Sequence, residues 1–256
     1  MKTGIIQSLD RGLKILQVIG KAQGPLSLSD IAGNFSMDRS SVFRLIDTLI
    51  LNGFVLKDTQ TKRYSLGYKV MELSGAFGEQ SRIEGVIRPI MKKVCAATLQ
   101  DTHMGILDRD EVVFIAVEQP RSSMTVHIPV GTREPAGFTA LGRSLISSLG
   151  DQALDDLVSS MDLKRYTVNT LCSARILIRE IEKVKKEGVS VDNEEYKPGI
   201  ICFAAPIWDN RGEVRYSIGI SGSRDTVMPR YDEFRDLVRD AGIEASERLG
   251  GSRFRG

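Results

Sequence analysis

Arg39, Ser40, Ser41, Phe43 and Arg44 stand on one side of a run whose other side, Val42, Leu45, Ile46 and Leu49, is apolar. At helical spacing that pattern makes an amphipathic helix with one buried stripe and one polar face. The outward residue types are those that suit a DNA major groove. Guanidinium groups bind guanine edges or phosphate oxygens, serine hydroxyls pair with either, and a phenyl ring packs on a thymine methyl. Further along, Lys62 and Arg63 cap a polar stretch and suit phosphate contact. Taken singly, each of these cations also fits an ordinary solvated surface, and Phe43 also fits packing against a neighbouring helix.

Reaction chemistry is not legible. The chain has no Gly-x-Ser-x-Gly elbow, no phosphate loop and no paired-histidine metal motif. Asp192, Glu194 and Glu195 form an acidic cluster, but no histidine, lysine or metal ligand stands at useful spacing. Acidic side chains beside a turn are expected to be solvated. Cys95, Cys172 and Cys202 are far apart and odd in number, which gives neither a disulfide framework nor a zinc set and fits a reducing cytoplasm. No enzyme activity, cofactor or metal is expected.

The elements that would present the DNA-facing residues surround them. Leu9, Leu13, Leu16 and Ile19, with Ile15 beside them, predict the apolar stripe of a first helix, broken by the stretch 20–25. Ser27-Leu28-Ser29-Asp30 reads as a capping box that opens a short helix with Ile31 and Ala32 inward. Ser27, at its start, joins the residues expected at DNA. The third helix runs over 38–51 and stops at Asn52-Gly53. A short helix, a tight turn and a longer helix make a helix-turn-helix. Two alternating runs, 54–57 and 64–66, enclose the polar tip 58–63 and predict a β-hairpin wing with Lys62 and Arg63 at phosphate height.

These features place a winged helix-turn-helix at 1–67 and a connecting helix at 68–82, with Val70, Leu73 and Phe77 on one side. Residues 83–251 predict a second domain. It opens with a helix from Glu84 or Arg88 to Leu99, Pro89 lying in the first turn. Runs 104–107 and 112–117, and again 200–208 and 214–221, predict two antiparallel hairpins. Helices are expected at 139–149, 153–159, 173–188 and 231–249. Strand pairs interrupted by helices predict an α+β domain, an antiparallel sheet covered by helices.

The 256 residues, 41% hydrophobic and 27% charged, suffice for one large core or two smaller ones. Residues 1–80 carry ten Lys or Arg against seven Asp or Glu, and residues 81–256 carry 25 against 26. The positive excess therefore lies in the first part, as a polyanion binder requires. No run is long and apolar enough for a membrane helix, and residues 1–8 lack a signal core.

Several segments resemble the IclR family of bacterial transcription regulators. They are Gln7-Ser8-Leu9-Asp10-Arg11-Gly12-Leu13, Ser40-Ser41-Val42-Phe43-Arg44-Leu45-Ile46 and Arg63-Tyr64-Ser65-Leu66-Gly67. Phe138-Thr139-Ala140-Leu141-Gly142-Arg143-Ser144-Leu145 follows, then a block at 188–206 containing Val191-Asp192 and Glu194-Glu195. The resemblance spans essentially the whole chain. It implies a winged helix-turn-helix, a linker helix and an effector domain like the GAF and profilin folds. It also implies homodimers, often paired into homotetramers, on palindromic or tandem double-stranded DNA operators. Family habit favours a cytoplasmic repressor of a catabolic operon, nucleoid-associated when DNA-bound and controlled by an organic, sugar or aromatic acid.

The same resemblance implies an effector pocket. The segment 137–142 precedes a helix whose first amides lack internal partners and suit a carboxylate. Family members contact ligand there, which implies roles for Thr139, Ala140 and Leu141. Asp192, Cys202 and Ser221 fall where small acids or their hydroxyls bind, and His103 and Gly105 lie on a strand facing the same cavity. Gly219 replaces a common second serine, which removes a hydroxyl donor, widens the pocket and favours a ligand larger than the smallest oxo-acids. Arg143 stands where relatives usually carry lysine, at a position of structural character. Without the resemblance, Cys202 reads as a small buried hydrophobe, Asp192 as a turn residue and Ser221 as a sheet hydroxyl. Two rival functions stay open on the residues alone: a winged helix that binds a protein, and an enzyme with a degenerate DNA-binding module.

Overall fold

Ile15, Ile19, Ile31, Val42, Ile46, Val55 and Tyr64 are withdrawn from water and form one core under three helices and a hairpin. They belong to the first of two units, Met1–Arg82 and Ile83–Gly256, in a computed structural model that describes residues 4–80, 83–120 and 128–251. The first unit contains α1 (Gln7–Lys21), α2 (Leu28–Ala32), α3 (Arg39–Leu51), β1 (Val55–Lys57), β2 (Tyr64–Leu66) and α4 (Lys69–Gln80). The Ser27 hydroxyl accepts from the Asp30 amide while Asp30 accepts from the Ser27 amide, so the expected capping box starts α2. Gly53 ends α3 with φ of +75°, a conformation that favours glycine. Leu26 and Tyr64 exchange both backbone hydrogen bonds, at 2.9 and 2.7 Å, and so tie the wing to the segment before α2.

The buried stripe of α1 differs from the expected one. Gly12, Ile15 and Ile19 face the core and Leu16 is half-buried, whereas Leu9 and Leu13 are exposed. The helix carries two adjacent ridges, 9-13-16 and 12-15-19, that a periodic pattern cannot rank. The core takes the second, with Ile15 and Ile19 packed into it. In α4 Val70 is half-buried and Leu73 is exposed. The side chain of Phe77, expected beside them, lies outside the described residues.

The second unit contains α5 (Ile83–Thr98), β3 (Asp101–Asp108), β4 (Glu111–Glu118), β5 (Arg133–Pro135), α6 (Ala140–Ile146), α7 (Asp151–Ser160), α8 (Ala174–Glu187), β6 (Ser190–Asn193), β7 (Ile200–Trp208), β8 (Val214–Ser223), α9 (Arg224–Val227) and α10 (Tyr231–Arg248). Its strands make one antiparallel sheet in the order β5-β4-β3-β8-β7-β6. Successive residues of a strand point to opposite faces. On β7, Ile201, Phe203, Ala205 and Ile207 therefore enter the core with Ile87, Met91, Phe234 and Val238 of α5 and α10. Cys202 and Ala204 turn the other way, toward Ala140, Leu141 and Leu145 of α6. A bulge opposite Met104 and Gly105 reverses the facing of β4, so that Ala116 serves the first core and Phe114 the second.

Gly142 lies against the backbone of Ala136, where a Cβ would overlap it, and this lets α6 turn tightly off the segment before it. Since α5 begins at Ile83, Pro89 lies inside the helix and not in its first turn. Pro89 and Gly85 are both exposed, so the carbonyl that loses its helical donor faces water. The short elements β5, β6 and α9 were not expected, since three or four residues carry no readable period. No helix among the described residues is long and apolar enough to cross a membrane.

Ile15 is fully buried whereas Leu13 is 52% exposed. Ile15→Ala is therefore expected to destabilise the first unit by about 2–5 kcal/mol through the lost transfer energy and the cavity left behind, read as a fall in the urea midpoint.

Candidate functional site

On α3 the apolar side is used up by the core, and Arg39, Ser40, Phe43 and Arg44 remain exposed on the outer face. Asp38 caps the helix by accepting the Ser41 amide at 2.8 Å, and its carboxylate also accepts the hydroxyls of Ser40 at 2.5 Å and Ser41 at 2.7 Å. These bonds, that from Ser40 foremost, hold the Asp38 carboxyl well below the usual carboxylate range. Both serine protons are thereby committed, and the Ser41 oxygen also accepts from the Arg44 guanidinium at 3.4 Å. Lys57 of β1 lies 5.5 Å from the centre of the Phe43 ring, which places Phe43 beside the wing. At the wing tip Asp58 accepts the amides of Gln60 and Thr61, and Lys62 adopts φ of +57°. Arg63 is exposed, but its guanidinium donates to the Pro25 carbonyl at 2.9 Å, which holds the charged head beside the segment before α2. Ser27 is half-buried, with its hydroxyl engaged in the cap.

In the second unit α6 and the sheet enclose a cavity of about 260 Å³. Strand register builds its floor: Asp192 pairs with Cys202, Cys202 with Ser221 and Ser221 with Asp101, one rung across β6, β7, β8 and β3. His103 lies two residues beyond Asp101 on the same face. Its Nε2 is 2.8 Å from the Ser221 hydroxyl and its ring meets the Phe114 ring edge-on. Its Nδ1 has no hydrogen-bond partner among the described residues. Burial first, and the nearby Lys197 charge second, push His103 down to about 4, so the imidazole is neutral at physiological pH. Burial pushes Asp192 up to about 6, against the opposing pull of the Arg143 charge and of the amides of Glu195 and Tyr196. Burial and the Asp192 charge keep the Cys202 thiol protonated, which makes it a weak polar group and not a nucleophile.

Thr139, Ala140 and Leu141 line the opposite wall. The Thr139 hydroxyl caps α6 by accepting the Gly142 amide at 3.2 Å. Lys197 and Glu134 meet at 2.6 Å, and both line the cavity with Tyr196.

Of the residues expected in a pocket, His103, Thr139, Ala140, Leu141, Asp192, Cys202 and Ser221 surround this one space, and Gly105 does not. Gly105 packs under Val112 and Leu141, where a Cβ would come 2.7 Å from Val112 Cγ2. Gly219 does not widen the cavity either. It lies between paired strands, where a Cβ would come 2.5 Å from the Phe203 carbonyl oxygen. The acidic cluster is not solvated as expected. Asp192 is buried on β6, Glu195 accepts from the buried Arg143, and Glu194 accepts from Arg224. Arg143 does not line the cavity. Sequence reasoning missed Asp101, Glu134, Tyr196 and Lys197. Alternation along β3 from His103 could have found Asp101, but the others come from a three-residue edge strand and a loop.

Both units match family models. An IclR helix-turn-helix domain covers residues 8–59, and the C-terminal domain of the bacterial transcriptional regulator IclR covers residues 78–247. The chain belongs to the IclR family. It is 30% identical over 245 residues to the HTH-type transcriptional repressor AllR of Salmonella typhi, covering 95% of this chain and 90% of that one. The crystal structure of the Thermotoga maritima IclR is 30% identical with a TM-score of 0.79, covering 96% of this chain and all of that one. An IclR homolog from Microbacterium hydrocarbonoxydans, crystallised with 4-hydroxybenzoate, shares the fold at a TM-score of 0.83 and 20% identity, over 94% and 98% of the two chains. This IclR-family protein is thus a DNA-binding transcription regulator with α+β architecture, not an enzyme.

The buried Asp192 gives a measurable signature. Its carboxylate binds a proton more tightly in the folded state than in the unfolded chain, so the folded state holds the extra proton between about 4 and 6. That contribution to stability is full below pH 4 and is lost as pH rises through about 6. Asp192→Asn, which cannot ionise, is expected to gain about 3 kcal/mol relative to the parent between pH 4 and 7.5 in urea unfolding, the gain growing by roughly 1.4 kcal/mol for each pH step between 4 and 6. A gain that does not change with pH contradicts the assignment.

Proposed function

We propose that this regulator is a repressor of a catabolic operon that binds a palindromic or tandem operator as a homodimer or homotetramer and is controlled by a small organic acid held in the second unit. The observation that carries the DNA part is the outer face of α3. Arg39, Ser40 and Arg44 are exposed and Ser41 is half-buried on a helix whose other side packs into the core. In this reading Arg39 and Arg44 reach base edges or phosphates, Ser40 and Ser41 accept from base amino groups, and Phe43 meets a thymine methyl. Lys62 and Arg63 take phosphate oxygens on the flank, and Ser27 sits at the backbone near the start of α2. Residues 1–67 form the DNA-binding domain, 68–82 the linker helix and 83–251 the sensing domain. The repressor assignment draws support from AllR, a relative that is itself a repressor.

Control follows from linkage. A ligand shifts the population of DNA-binding arrangements only by its differential affinity for them. The cavity supports an organic ligand because it is partly apolar, has a short row of polar groups on one rung, and is matched in fold by a relative crystallised with an aromatic acid.

Arg44→Ala is expected to weaken operator binding by roughly 1–3 kcal/mol, and Lys62→Ala to lower the slope of log affinity against log salt by about one. Fluorescence anisotropy over a salt series measures both. Unchanged affinity and slope in the two variants would remove α3 and the wing from the interface. For the ligand, Ser221→Ala is expected to diminish the response of operator binding to the natural inducer, since it takes away the hydroxyl that His103 orients. An undiminished response moves the effector site elsewhere.

A further inference from the structure

Lys197 and Glu134 come from distant parts of the chain, the loop between β6 and β7 and the edge strand β5. They meet at 2.6 Å where both line the cavity. Their environments differ. The Glu134 side chain is 9% exposed and that of Lys197 is 44% exposed, so the carboxylate is shut in and the ammonium stands at the mouth. Among the described residues lining the cavity, Lys197 carries the only permanent positive charge. The nearby guanidinium groups are engaged by other carboxylates, Arg143 by Glu195 and Arg224 by Glu194. The Lys197 charge is also felt on the floor, where it disfavours protonation of His103 and favours the anion of Cys202.

Among the described lining residues, Lys197 is the one cation for an entering acid to approach. Drawing Lys197 away from Glu134 strands a buried carboxylate without counter-charge, which is strongly unfavourable. A molecule with a hydrogen-bond donor beside its own carboxylate avoids the conflict. Its carboxylate meets the Lys197 ammonium while its donor meets Glu134, so both members of the opened pair stay satisfied. We propose that the Glu134–Lys197 pair is the specificity element of the cavity and selects acids bearing a hydroxyl, amine or amide N–H next to the carboxylate. This rests on the cavity being the effector site. It deepens that reading by restricting the ligand from acids in general to acids with an adjacent donor.

The test uses the full chain and four matched six-carbon probes: 2-hydroxyhexanoate, 2-aminohexanoate, hexanoate and 1,2-hexanediol. Affinities come from thermal-shift titration and isothermal calorimetry. The expected result is that at least one donor-bearing acid binds at least about tenfold more tightly than hexanoate and the diol, the two acids separating a hydroxy acid from an amino acid. Lys197→Gln abolishes that preference. Glu134→Gln removes the stranded charge, so hexanoate gains affinity and the gap narrows, an effect that a purely structural role for Glu134 does not produce. Hexanoate or the diol binding as well as the donor-bearing acids overturns the proposal and leaves the cavity as the ligand site. So does a preference that survives Lys197→Gln. If none of the four binds, the proposal falls. If a wider panel of neutral and acidic compounds also fails to bind, the effector-site reading falls with it.

Discussion

A guanidinium cut off from water organises the sensing unit. Arg143 on α6 is 1% exposed, and a buried charge persists only when paired and hydrogen-bonded. It donates to the Glu195 carboxylate and to the Val191 carbonyl, both at the β6 edge of the sheet. Those two contacts set how α6 lies over the sheet, and with it the wall formed by Thr139, Ala140 and Leu141. They also hold the loop after β6. Glu195 in turn donates its amide to Asp192 at 2.8 Å, so the rung on the cavity floor and the helix above it share one network. Thr167 and Thr170 add hydroxyl bonds to the carbonyls of Glu194 and Glu195, both at 2.7 Å. The loop that carries Tyr196 and Lys197 is thereby fastened from three sides.

The cavity combines groups that burial drives toward neutrality with one ion pair. Neutral His103, a protonated Cys202 and an Asp192 poised near 6 can exchange hydrogen bonds with a ligand at little electrostatic cost. Glu134 and Lys197 meet as an ion pair at 2.6 Å. The proposed selectivity therefore rests on the ion pair and not on the polar rung of the floor. Specificity arises where a wrong ligand leaves a charge unpaired, since rejection by an uncompensated charge outweighs the modest gain from one good contact.

The DNA-facing unit is arranged by a similar use of charge at smaller scale. Asp38 caps α3 and collects the hydroxyl protons of Ser40 and Ser41, which orients the oxygens of both before any partner arrives. Arg63 is anchored on the Pro25 carbonyl, and Leu26 is stitched to Tyr64. The wing and the start of α2 therefore present one preformed edge, so little ordering remains to be done on binding.

The amino-acid sequence determined what local rules govern. The capping box at Ser27 and Asp30, the outer and inner faces of α3, the hairpins around residues 108–110 and 209–212, and the α+β class follow from periodicity and turn chemistry that act within a few residues. Family segments pointed to eight pocket positions, and all but Gly105 converge on the cavity. Tertiary structure decided what depends on which distant group arrives. It chose the 12-15-19 ridge of α1 over 9-13-16, because only the packed partners distinguish two apolar ridges on one helix. It turned Asp192 from a turn residue into a buried floor group and took Gly105 and Gly219 out of the cavity, because strand register sets where each side chain points. It joined Glu134 to Lys197 across 63 residues, a pairing that no local spacing encodes.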